Sequence, residues 1–365
     1  EIKEGLLPVN MAYANIGLTD NLSMETFYQL EFQETVIEGC GTFFSTNDYA
    51  AEGCNSVSIA GGAFSVARDE DGLRKAKDDG QFGMAFRYVS EALGDTEFGI
   101  YAMNIHSRAP IINGTNHSLT LADEGVIQGD AVTLYTNAGG IPGFSSAAAF
   151  AGFKTAEARA AGASYFVTYP EDLQIAGLSF ATNVGTMALS GEFSFHPDTP
   201  IQINGPMVIQ ALVSGVAASP ATDIQNLILG PGELNEGSRN FDVSQVQMTA
   251  IKFFDQIAGA SRVILIGEAG YTFIHGFDEG ADAIKFGRSD IFGTPGPGNV
   301  DDGFVTESSW GYRGRLVADY SDVFMGINLK PMLAWSHDVK GYAPQPGGNF
   351  VEGQKTLGLS VQATY

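Results

Sequence analysis

With 365 residues the chain is long enough for one large sheet or two ordinary domains. Only 17% of residues are charged and 44% are hydrophobic, yet no apolar run approaches the roughly 18–20 residues a membrane helix requires, which excludes a helical membrane protein. Acidic residues outnumber basic ones 42 to 19, and the resulting net charge of −23 argues against unspecific affinity for nucleic acid.

Along the chain, apolar residues are spread singly among 46 glycines, as in a barrel that hides its hydrophobicity on one side of each strand. Met11–Leu18 reads as a first strand and Thr19-Asp20-Asn21 as a short turn. From Leu22 the pattern alternates. Leu22, Met24, Tyr28, Leu30 and Phe32 fall on one face, and Glu25, Gln29, Glu31 and Gln33 on the other, with Thr26 and Phe27 as exceptions. Cys40 and Cys54 follow in a polar segment with no metal-site spacing nearby. A disulfide between them closes a loop of about 15 residues, contributes about 3 kcal/mol in the chain-entropy model, and implies an oxidising compartment.

Alternation returns with Phe82, Met84, Phe86 and Tyr88 against Gln81, Gly83, Ala85 and Arg87, and with Leu189, Phe193 and Phe195 against Ser190, Glu192, Ser194 and His196. Further on, Val263, Leu265, Ala269, Tyr271 and Phe273 oppose Glu268, Gly270 and Thr272, although Ile264 and Ile266 break the polar side. Trp310, Tyr312, Leu316, Ala318 and Tyr320 oppose Arg313, Arg315 and Asp319. Leu357, Leu359, Val361, Ala363 and Tyr365 oppose Thr356, Ser360, Gln362 and Thr364. Such segments are long enough to cross a hydrocarbon core as tilted strands of roughly 9–11 residues, whereas ordinary globular strands are nearer 5–6. Trp310, Tyr320, Trp335 and Tyr365 suit interfacial girdles.

Connections alternate in length. Short turns are expected at Thr19–Asn21, Ala92–Asp95, Gly185, Ile257–Ala260 and Ser321-Asp322, and long loops at Glu38–Gly80, Arg108–Glu171, Asp198–Asp242, Gly276–Phe304 and Asp338–Gln354. The fold class that follows is all-β, a single antiparallel transmembrane β-barrel domain over residues 1–365 with about 11 spanning strands and short helices in its extracellular loops. Bacterial barrels usually have even strand counts, and the chain opens at Glu1 without an initiator Met or signal peptide, so part of the barrel is expected to lie outside it at the start.

Several stretches resemble a domain-of-unknown-function family of large outer-membrane barrels from Pseudomonas-like and marine Gram-negative bacteria. They are Phe27–Tyr49, Gly80–Arg108, Ser164–Phe180, Pro200–Gly205 and Ser309–Tyr342. The resemblance implies an outer-membrane location and longer relatives, with a final hairpin after Tyr365 as well. It also implies a transport protein that accompanies RND-type exporters and is generally similar to outer-membrane long-chain fatty-acid channels. It carries no established activity to transfer residue by residue.

The face expected to line a lumen collects Glu25, Glu31, Arg87, Glu192, Glu268, Arg313, Arg315 and Lys330. Charges of both signs set permeant preference if unpaired, and merely pair across a filled lumen otherwise. Arg313 and Arg315, at i and i+2, point the same way and could grip a carboxylate. Phe144–Ala163 reads as one or two helices and Met207–Ala218 as another, too apolar for water-exposed loops. A mouth plug, a pocket for a fatty acid, alkane or lipid, and plain loop packing all fit them.

Of five histidines, four end ascending strands, but His106 and His196 should point inward while His275 and His337 point outward, which disfavours a metal ring. No G-x-S-x-G motif supports a hydrolase. Acidic loops could take up calcium beside lipopolysaccharide, for instance at Asp301-Asp302-Gly303 near Asn299. The expectation is therefore a non-enzymatic outer-membrane channel or transporter without a cofactor, for hydrophobic small molecules or lipids. The alternative is a docking protein that anchors a periplasmic or exporter partner.

Overall fold

The computed structural model describes residues 7–43, 45, 48–214, 227–280, 283–288, 302–344 and 350–365. The chain begins with β1 (Met11–Gly17), β2 (Leu22–Gln29), β3 (Ser56–Ile59), β4 (Phe64–Arg74), β5 (Phe82–Ser90), β6 (Thr96–Ile105) and β7 (Ile111–Thr115). Helices α1 (Leu121–Asn137) and α2 (Ala147–Gly162) follow, then β8 (Ser164–Thr168), β9 (Leu173–Val184), β10 (Met187–Gln202) and α3 (Gly205–Val213). The remainder is β11 (Leu234–Asn235), β12 (Ser238–Asp255), β13 (Arg262–Ile274), β14 (Ser308–Phe324), β15 (Ile327–Lys340) and β16 (Lys355–Thr364).

Eleven strands form one antiparallel sheet in the order β1-β2-β5-β6-β9-β10-β12-β13-β14-β15-β16, each beside its predecessor along the chain once the long connections are set aside. The sheet is open: β1 and β16 are its edges, each paired on one side among the described residues. Tight turns close one end. They include the left-handed pair Gly94-Asp95, Gly185, and Ala258-Gly259, conformations that favour glycine. The turn expected at Ser321-Asp322 lies elsewhere. There β14 continues through an irregular register to Phe324, and the hairpin tip is Met325-Gly326, where Gly326 donates its N–H to the Asp322 carboxylate at 2.9 Å. The polar pair is a side-chain brace for that turn rather than its tip.

The two faces differ as the alternation requires. Phe82 is 52% exposed and Phe193 41%, and they share the outer face with Met84, Tyr88, Leu178, Leu265, Tyr271, Leu357 and Leu359. Phe86, Ile100, Phe193 and Phe195 line a shallow groove on that face, not the centre of a packed body. His275 and His337 stand among outer-face aromatics, while His196 points inward, matching their sequence phase. Phe32 departs from the expected pattern. The strand ends at Gln29, so the alternation lapses, and Phe32 is buried against Ala76 and Tyr169.

At the other end the long connections are not separate loops. The strands β3 and β4 from the first, β7 and β8 from the second and β11 from the third assemble a second sheet, ordered β11-β7-β8-β4-β3, with β4 parallel to β8. The third connection is also shorter than expected, since β10 and β12 stay paired past a bulge at His196/Thr199 as far as Gln202 and Ser238.

Ile112, Val167, Ile201, Ile203, Val208, Leu227, Val243, Ile274, Phe277 and Phe286 form the main core of this cap. Burying each such side chain is worth about 1.5–3 kcal/mol. Val243, Ile274 and the adjacent Phe241 lie on the inward-facing side of β12 and β13, so the cap rests over the mouth of the sheet's concave side. Here the apolar helices find their place. Asn204 caps α3, which buries Val208, Ile209, Ala211 and Leu212, and α2 buries Phe150, Ala151 and Ala160. Their hydrocarbon is cap core, the plain-packing reading; residues 215–218 of the second expected helix lie outside the described residues.

The Cys40–Cys54 disulfide is present, its Cα atoms 5.5 Å apart. Arg68 holds the same segment by donating to the carbonyls of Ala51 at 2.9 Å, Cys54 at 3.3 Å and Ala50 at 3.4 Å. Between α1 and α2, Arg159 makes a bidentate pair with buried Glu124, at 2.7 and 2.6 Å, and keeps that carboxyl below its ordinary range. Burial lowers the pKa of neighbouring His117.

Candidate functional site: the inner face of the sheet

Register fixes which side chains share the inner face. Asn15, Glu25, Ala85, Tyr101, Gly177, Ser194, Gln245 and Thr272 follow one another across neighbouring strands. A cavity of about 470 Å³ is lined from β1 to β12 by Tyr13, Glu25, Phe27, Arg87, Tyr101, Met103, Ile175, Glu192, Ser194, His196 and Gln245, so the sheet is concave on this face. Two aromatic rings shape it. Tyr101 lies across Gly177, where a Cβ would sit 2.3 Å from the ring, and donates its hydroxyl hydrogen to Glu192. Phe27 covers Gly83 in the same way, 2.5 Å from the position of a Cβ. Glycine lets both rings lie flat instead of standing into the lumen.

Three of the eight expected lumenal charges, Glu25, Arg87 and Lys330, are in ion pairs. Arg87 bridges Glu25 at 3.4 Å and Glu97 at 3.0 Å, and Lys330 meets Asp319 at 3.1 Å. Glu31 lies past the end of β2, at the rim, where it accepts the backbone N–H of Asn10 at 2.7 Å. Ser194 and His196 share a hydrogen bond of 3.0 Å. Glu268, Arg313 and Arg315 line a second cavity of about 480 Å³ with Ile266, Ala334, Ser336, Thr356 and Gly358. Glu268 and Arg313 are register partners, yet neither arginine has an ion pair or hydrogen bond among the described residues.

Sequence reasoning placed the eight charges by strand phase. It overlooked Tyr101 and Glu97, although Tyr101 also follows from phase once its strand is recognised, and it placed Asp319 on the polar face without its partner Lys330. Among the described residues one close-set group of possible metal ligands, Cys40, Asp48 and Cys54, has both sulfurs in the disulfide. Asn299 and Asp301, considered for calcium, lie outside the described residues.

An up-and-down antiparallel wall with hydrocarbon outside, polar groups inside and its long connections gathered at one end defines a transmembrane β-barrel protein. The chain belongs to the family described as "Protein of unknown function (DUF1302)", which matches residues 1–365. No curated protein sequence matches it. Among solved structures it is similar to a porin refined at 1.8 Å, with 8% identity and a TM-score of 0.34 over 96% of this chain and 59% of that one. It is also similar to the outer membrane channel DcaP of Acinetobacter baumannii, with 7% identity and a TM-score of 0.35 over 98% of this chain and 62% of that one. The chain thus spans about three-fifths of each of these proteins.

Proposed function

We propose that this chain forms much of the wall of an outer-membrane channel in a Gram-negative bacterium, one that passes small solutes carrying an apolar part. The observation that carries the reading is the inner cavity, where Phe27, Met103 and Ile175 lie beside Arg87, Glu192 and His196 on a face whose reverse is hydrocarbon. Charges of both signs across such a lumen orient a solute, and apolar side chains between them hold its carbon skeleton. On this reading the cap faces outward and screens the mouth. The test is reconstitution of the protein into planar bilayers in potassium chloride, with discrete conductance steps as the expected result. Correctly folded protein, shown by heat-modifiable gel mobility, that inserts without conducting would remove the channel reading.

A further inference from the structure

The inner face of the β12–β16 region is layered. Glu268, Arg313, Ser336 and Thr356 occupy one row across the strands, and Ile251, Ile266, Arg315, Ala334 and Gly358 the next toward the short turns. Below them Phe253, Ile264, Val317 and Met332 are register neighbours, and a final row closes with the ion pairs Asp255–Arg262 and Asp319–Lys330. The isoleucines that break the polar alternation of β13 are therefore part of a continuous apolar band on the lumen side. Four strands contribute to it, so it is about 14 Å across.

Arg315 stands in the upper row of that band and Arg313 in the row above it, about 7 Å apart along one strand and on the same face. Two guanidiniums so placed repel each other, and the one carboxylate in their cavity, Glu268, pairs with neither among the described residues. Small neighbours, Ala334, Gly358, Ser336 and Thr356, leave the recess open and offer two hydroxyls. The two cations of the row nearest the short turns, Arg262 and Lys330, by contrast each have an acid, Asp255 and Asp319.

We infer that Arg313 and Arg315, with the band of Ile251, Phe253, Ile264, Ile266, Val317 and Met332 beside them, form a binding site for an amphiphilic carboxylate. The carboxylate bridges the two guanidiniums, which supply planar forks of donors matched to it, and the hydrocarbon lies on the band. An anion between the arginines removes their repulsion, and a tail on the band leaves water. This site deepens the channel reading and rests on it for its biological role, but not for its existence.

The test is equilibrium dialysis of 4-tert-butylbenzoate against the protein in liposomes, with protein-free liposomes subtracted and acetate as the tailless control. Saturable binding is expected. R313Q/R315Q should weaken it at least tenfold, R313K/R315K at least threefold because the fork is lost while charge stays, and V317S/M332S severalfold. Acetate should bind at least tenfold more weakly than 4-tert-butylbenzoate. Unchanged affinity in the arginine variants, or acetate binding as tightly as 4-tert-butylbenzoate, overturns the inference. Should R313Q/R315Q fail to fold, R313K/R315K decides. Conductance of the same samples separates the two readings. Arginine-dependent binding without conductance removes the channel and leaves the site, and conductance without arginine-dependent binding does the reverse.

Discussion

The wall and the cap use similar amino acids under opposite rules. In the cap, Val66, Val167, Ile203 and Leu212 are fully buried, as in any water-soluble core. In the wall, Phe82, Ile100, Leu178 and Leu359 are exposed on a single face, and the inner face mixes charged and polar groups with apolar ones. The cap is stabilised by removing hydrocarbon from water, whereas the wall's hydrocarbon gains nothing until lipid covers it. The same substitution should therefore have different consequences in the two regions.

The largest effect is expected in the cap. Arg159→Met leaves the buried Glu124 carboxylate without its partner and should cost about 3–5 kcal/mol of cap stability, read by hydrogen exchange in α1 and α2, with the wall strands unaffected. The same pair gives the cap a pH dependence. Because Arg159 lowers the folded-state pKa of Glu124, its stabilisation is present above the unfolded carboxyl value and fades as acid carries pH down through the folded one. Cap exchange should accelerate in acid before wall exchange does, and Arg159→Met should erase the Glu124 share of that difference.

In the wall, Leu178→Arg places a charge on the outer face and should cost about 2–4 kcal/mol if the residue sits near the bilayer midplane. Val126→Arg on the exposed side of α1 should be nearly neutral, and equal costs at the two sites would dissolve the contrast. Removal of the disulfide by Cys40→Ser and Cys54→Ser should cost about 3 kcal/mol, confined to the cap and read as faster proteolysis of its first connection. The smallest effect is Tyr101→Phe, about 1 kcal/mol, which frees Glu192 and should raise cation preference in bilayer recordings.

The contrast also explains what was readable in the sequence. Wall strands show themselves because lipid on one side and a polar interior on the other impose a period of two, as at Phe82–Tyr88, and four of the five expected short turns stand where they were placed. Cap strands are only 2–5 residues long apart from β4, the central β7 and β8 are buried on both faces as in Ile111–Gly114, and they pair across distant segments, β4 with β8 in parallel, so no local pattern announces them. For the same reason Phe32 was assigned to the wall when the chain had already entered the cap. The paired arginines were legible from spacing alone. The apolar band beside them was not, because Phe253, Ile264, Val317 and Met332 come from four strands and only the register unites them.

The most direct test of two solvents on two faces is a nitroxide scan along β5 in lipid bilayers, measuring collision with oxygen, which concentrates in hydrocarbon, and with a water-soluble nickel chelate. Labels at positions 82, 84, 86 and 88 should favour oxygen, and labels at 83, 85 and 87 the chelate, in strict alternation. Equal accessibility at successive positions, or chelate contact at Phe82 and Phe86, would contradict the account.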